Sequence, residues 1–95
     1  MEKLYLVTRT DLPPGLRAAQ LCHAMREFAE HHPELERAWY RDSNNLVLLE
    51  VADEAELVRL AARAGEHVAV NREPALGDAV TAVALMPAEK RLVRE

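Results

Sequence analysis

Residues 4–15 read Leu4-Tyr5-Leu6-Val7-Thr8-Arg9-Thr10-Asp11-Leu12-Pro13-Pro14-Gly15. The run Leu4–Thr8 is apolar at even and odd positions alike. A strand with no polar face is covered on both sides, as in a sheet held between helices. Pro13 and Pro14 cannot extend a central strand, but they suit the opening of a helix. From Leu16 to His31 the residues Ala18, Leu21, Cys22, Met25, Phe28 and Ala29 recur at helical spacing, with Arg17, Gln20, Arg26, Glu27 and Glu30 off that stripe.

Downstream of that pair, Pro33 ends the helix and starts a short second one over Pro33–Tyr40, where Leu35 and Trp39 lie one turn apart. Asp42-Ser43-Asn44-Asn45 is a turn signal, and Leu46–Val51 reads as a second buried strand. Asp53 with Glu56 forms a capping box that opens a helix bearing Leu57, Val58, Leu60, Ala61 and Ala64, which Gly65 closes. His67–Val70 and Val80–Met86 are two further strands. The Pro74–Asp78 segment between them is too short for a crossover helix, so they are antiparallel neighbours. The expectation is an α/β fold with three α/β/α layers and a mixed four-stranded sheet of order 2-1-4-3, strand 4 antiparallel. Ala88–Glu95 is charged and reads as a frayed helix or tail.

The chain has 95 residues, which predicts one domain over 1–95. Hydrophobic residues make up 49%, enough for a core without disulfides or metal. With 12 basic and 16 acidic side chains the net charge is −4, so any contact with RNA has to come from a local basic patch. Cys22 is the only cysteine, which suits a reducing, cytoplasmic setting, and no run is apolar enough to span a membrane.

In open α/β sheets, ligands collect at the carboxyl ends of parallel strands. Here that edge comprises Arg9-Thr10-Asp11, the opening of the first long helix and Arg72-Glu73, and the helix N-terminus favours an anion such as phosphate. Arg9, Arg17 and Arg72 at one edge form an anion site or three solvated charges. Asp11 either caps the helix or pairs with Arg9 or Arg72. Glu73 acts in proton transfer or neutralises those arginines. Gln20 orients a substrate carbonyl or bonds the loop after strand one, and His23 is functional or hydrogen-bonded to a neighbouring strand. His31-His32 is a helix-terminal cation rather than a metal site, Cys22 a small buried hydrophobe and Trp39 a cover for the core edge.

Arg9-Thr10-Asp11-Leu12, then Gly15, then Ala18-Ala19-Gln20-Leu21-Cys22-His23-Ala24 resembles the signature of the type 2 peptidyl-tRNA hydrolases. Asp53–Gly65 is similar to the acidic-capped helix of that family, Val70-Asn71-Arg72-Glu73 to its turn before the last strand, and Thr81–Pro87 to that strand. The resemblance implies a three-layer α/β/α fold and hydrolysis of the ester joining a peptide to the 3′ end of tRNA, with no metal and no cofactor. It implies Asp11, His23 and Glu73 as catalytic candidates and Arg9, Arg17, Gln20 and Arg72 as substrate-binding candidates. The partners implied are tRNA or the peptidyl-tRNA 3′ end and no membrane, and a homodimer is compatible. The sequence departs from the family where its lysine falls on Leu16 and where the loop after Glu73 is shortened. Those departures set a second expectation beside the first: a weak or inactive relative that binds RNA, a nucleotide or a protein through the same site. A third is a structural or dimerising module with no site.

Overall fold

The computed structural model describes residues 2–87. Its elements are β1 (Lys3–Arg9), α1 (Pro14–His31), α2 (Pro33–Asp42), β2 (Asn45–Val51), α3 (Glu54–Arg63), β3 (Val68–Glu73), a single 3₁₀ turn (Pro74–Leu76) and β4 (Ala79–Leu85). The expected tail at Ala88–Glu95 lies outside the described residues. The sheet order is β2-β1-β4-β3, with β1 parallel to β2 and β4 antiparallel to both β1 and β3, as the pattern predicts.

β1 is buried along its centre because each parity meets its own layer. Leu4 and Leu6 pack with Ala24, Phe28, Trp39, Ala82 and Ala84 on the α1 side. Tyr5 and Val7 pack with Leu57, Ala64, Val80, Val83 and Leu85 on the α3 side. The alanines under α1 let the helix sit close to the sheet, so dispersion and apolar burial operate across a thin layer. Asp53 Oδ1 accepts from the Glu56 amide at 3.0 Å, while the Glu56 carboxylate accepts from the Ala52 amide at 2.7 Å. This is the capping box with its return bond moved one residue upstream. Gly65, at φ 88°, takes the left-handed position after the helix.

Three local expectations are corrected. α1 starts at Pro14, two residues before the apolar stripe, because proline in the first turn sacrifices no intrahelical donor. Its buried face is Gln20, Ala24 and Phe28. Cys22 is exposed, since it stands about 200° around the helix from Gln20. β2 is an edge strand rather than a buried one: Leu46 and Leu48 are 41% and 59% exposed. Helix α1 lies over β4, β3 and β1, and α3 over β4 and β1, so neither layer reaches β2 to the same extent.

Candidate functional site

The carboxyl ends of the three parallel strands share one edge with the start of α1. The loop after β1 is pinned there by Thr10, whose amide donates to Val51 O at 2.8 Å, and by the buried Leu12. Pro13 is the cap residue of α1, and no side chain caps the helix. The first intrahelical amide bond runs from Arg17 N to Pro13 O at 2.9 Å. The Gly15 and Leu16 amides precede it, pointing outward where the helix dipole is positive.

Asp11 does not cap α1. It receives a two-pronged bond from Arg9, Nε to Oδ1 at 2.9 Å and Nη2 to Oδ2 at 3.0 Å, while Arg9 Nη1 donates to Val80 O at 2.9 Å. These bonds pull the Asp11 carboxyl below its ordinary value and hold the Arg9 guanidinium more firmly protonated, with Glu54 and Asp53 adding to the latter. A clamped, more acidic carboxylate is a poor proton acceptor. Arg17 is likewise committed, through Nε to Leu12 O at 2.6 Å and Nη1 to Glu50 at 2.8 Å.

The three arginines therefore share an edge without forming one cationic cluster. Arg9 follows the parity of Tyr5 and Val7, on the α3 side, whereas Arg17 pairs with Glu50 on the α1 side. Arg72 is exposed and donates only to Asp78 O, at 3.3 Å, with no carboxylate partner among the described residues. Glu73, at the end of β3, is half-buried, and its carboxylate makes no hydrogen bond or ion pair among the described residues. The Glu73 carbonyl closes the turn by accepting from Asp78 N at 3.0 Å.

Gln20 is buried, only 2% exposed. Its Oε1 accepts from Asn71 Nδ2 and from Thr81 Oγ1, each at 2.6 Å, and Asn71 Nδ2 also reaches Thr81 Oγ1 at 3.0 Å. These bonds tie α1 to β3 and β4. Nearby, Thr8 Oγ1 donates to Thr81 O at 2.8 Å. Asn71 and Thr81 were not among the expected site residues. The signal for Thr81 was present as the lone polar residue in the apolar run of β4, where burial demands a partner, whereas Asn71 stands beside the polar Arg72 and Glu73 and carries no such mark.

His23 is exposed and makes no hydrogen bond among the described residues. The histidine that bonds a neighbouring strand is His32, whose Nε2 lies 3.1 Å from Val68 O. Among the described residues no three His, Cys, Asp or Glu side chains gather as metal ligands, and no helix is long and apolar enough to cross a membrane. A groove of about 240 Å³ runs beside the opening of α1, lined by Pro14, Arg17, Ala18, Leu21, Leu48 and Glu50 among others.

The edge thus carries a helix opening with no side-chain cap, the exposed Arg72, and a Glu73 carboxylate without a hydrogen-bond partner among the described residues. The family model for peptidyl-tRNA hydrolase PTH2 matches residues 2–95. No curated protein matches the chain.

Proposed function

The chain belongs to the peptidyl-tRNA hydrolase PTH2 family, and from that membership we propose that it hydrolyses the ester between a peptide and the 3′ end of tRNA. The observation that carries the reading is the near-complete span of the family match, residues 2–95. The Gly15 and Leu16 amides and Arg72 bind phosphate oxygens of the tRNA end. Glu73 is the general base: it takes a proton from a water whose oxygen attacks the ester carbonyl carbon, and it returns that proton to the terminal ribose oxygen as the bond from that oxygen to the carbonyl carbon breaks. Asp11 and Arg9 brace the loop, and Gln20 braces the helix. His23 is left outside the chemistry because it is exposed on α1 and makes no hydrogen bond among the described residues.

A second reading, a weak or inactive relative that binds RNA through this edge, is favoured by one local feature. Leu16 stands where the family carries lysine, and Arg9 and Arg17 are bound to Asp11 and Glu50. A missing charged contact to a developing oxyanion costs about 3–4 kcal/mol, or roughly 10²–10³ in rate.

Purified protein is incubated with an N-acylaminoacyl-tRNA, with a lysine-bearing family member as the control. Hydrolysis above background, slower than the control and raised by Leu16→Lys, is the expected result. Absence of turnover in both wild type and Leu16→Lys, with tRNA still bound in a salt-sensitive way, would replace the hydrolase by the binder. Absence of tRNA binding as well would remove both readings.

A further inference from the structure

Glu54, the first residue of α3, is half-buried and takes no part in the capping box of its own helix. Its Oε2 instead accepts from the Val80 amide of β4 at 2.7 Å, 26 residues further along the chain. The Val80 carbonyl accepts from Arg9 Nη1 at 2.9 Å. Both backbone polar groups of one β4 residue are therefore held by side chains, one from α3 and one from β1. The ladder explains why. β1 and β4 are paired from Tyr5–Leu85 to Thr8–Ala82, so Val80 lies beyond the last pair on that side and its polar groups need other partners. Glu54 and Arg9 continue the ladder where the strand stops, and their opposite charges attract.

What depends on this anchor is the strand end beside it. β3 is the outer strand, with β4 as its neighbour in the sheet. Arg72 faces Val80 and Glu73 faces Ala79, past a register shift that leaves Thr81 opposite no residue of β3. Such a bulge bends the strand and re-aims the side chains that follow it. The buried bonds among Gln20, Asn71 and Thr81 hold one side of the bulge, and the anchored Val80 holds the other. The Glu73 carboxylate has no hydrogen bond or ion pair among the described residues, so the backbone of this hairpin sets where it points.

We propose that Glu54 is a positioning residue for the hydrolysis: by accepting from the Val80 amide it fixes the end of β4, and through it the place of Glu73. The inference rests on the hydrolase reading. It assigns the role to an acceptor oxygen at a set reach, and two substitutions separate reach from charge. Glu54→Gln keeps the length and an acceptor oxygen and removes the charge. Glu54→Asp keeps the charge in the first turn of α3 and falls one methylene short of Val80.

Steady-state hydrolysis of an N-acylaminoacyl-tRNA is measured for the full chain and its variants. Glu54→Asp is expected to lower kcat roughly tenfold to a hundredfold with KM little changed, the effect of moving a reacting group by about 1 Å. Glu54→Gln stays close to wild type. Asp53→Ala, which removes the cap of α3 and spares the bond to Val80, lowers the thermal midpoint and leaves kcat unchanged. Amide exchange at Val80, followed by NMR, is faster in Glu54→Asp and unchanged in Glu54→Gln. A wild type without turnover would remove the hydrolase reading and this role with it. In an active wild type, full kcat in Glu54→Asp, a Glu54→Gln as slow as Glu54→Asp, or an equal loss in Asp53→Ala would overturn the positioning role alone. So would a Val80 amide whose exchange is indifferent to Glu54→Asp.

Discussion

The two halves of the candidate edge handle polarity in opposite ways. At the β1–β2 half, Arg9 is bound to Asp11 and Arg17 to Glu50, in exposed pairs that consume the charges placed there. At the β4–β3 half, the polar groups that are spent are neutral and buried: Gln20, Asn71 and Thr81 satisfy one another, and Arg72 and Glu73 are left without a side-chain partner among the described residues. Ionic pairs at a surface are worth little, and mainly fix geometry. Buried amide networks are costly to break. Structure at the first half is thus held by cheap contacts, and at the second by expensive ones that leave charged groups available to a ligand.

Chemistry should therefore depend on Glu73 more than on any charge of the other half. Glu73→Gln keeps the shape of the side chain and removes its proton affinity. The expected loss is about 10²–10⁴ in kcat, the usual contribution of a positioned general base, with little change in thermal stability. Steady-state hydrolysis of the acylaminoacyl-tRNA measures it. A variant retaining nearly full turnover would move the base elsewhere along the edge and erase the contrast between the halves.

Stability should depend on Gln20 more than on either ion pair. Gln20→Ala strands the Asn71 amide and the Thr81 hydroxyl in a buried site and leaves a cavity, costing about 2–4 kcal/mol. For a domain of this size that lowers Tm by roughly 10–30 °C. Replacing all three partners together, Gln20→Leu with Asn71→Leu and Thr81→Val, should recover part of the loss, since no orphaned donor then remains. Thermal and denaturant unfolding distinguish the outcomes. A single alanine costing no more than an exposed ion pair would mean that water replaces the network freely.

What the sequence shows of this arrangement follows the range of each interaction. The double-sided burial of β1, the Asp53 cap and the order 2-1-4-3 rest on short-range patterns and loop lengths, and all are legible. Arg9–Asp11, two residues apart, was one of the alternatives open to Asp11. Gln20 meets partners 51 and 61 residues away, and Arg17 meets Glu50 across 33. No periodicity announces such pairs. Gln20 even opens the buried face of α1, a face that helical spacing assigned to its apolar neighbours. The β2 run Leu46–Val51 has the composition of a central strand. Its exposure follows from where α1 and α3 come to rest over the sheet, which is a property of the assembled layers.

The smallest effect is the pH response of the Arg9–Asp11 clamp, and it tests the cheap half directly. Hydrogen bonding from Arg9 lowers the folded-state pKa of Asp11 beneath its ordinary 3.8. A carboxyl with a depressed folded pKa contributes stability that is fully present above the unfolded value and is lost as pH falls through the folded one. The window for Asp11 thus lies below 3.8, and neutral or mildly acid solutions should leave the clamp intact. Asp11→Asn, which imitates the protonated group, should unfold slightly below wild type at neutral pH. The two unfolding midpoints should converge as the solution becomes strongly acid, and added salt should narrow the gap at every pH because the carboxylate is solvent-exposed. Hydrolysis by Asp11→Asn at neutral pH should stay within about tenfold of wild type, since a loop brace is loosened and no proton acceptor is removed. A loss as deep as that of Glu73→Gln would put Asp11 in the chemistry after all, and the division between a neutralised half and a reactive half would fail.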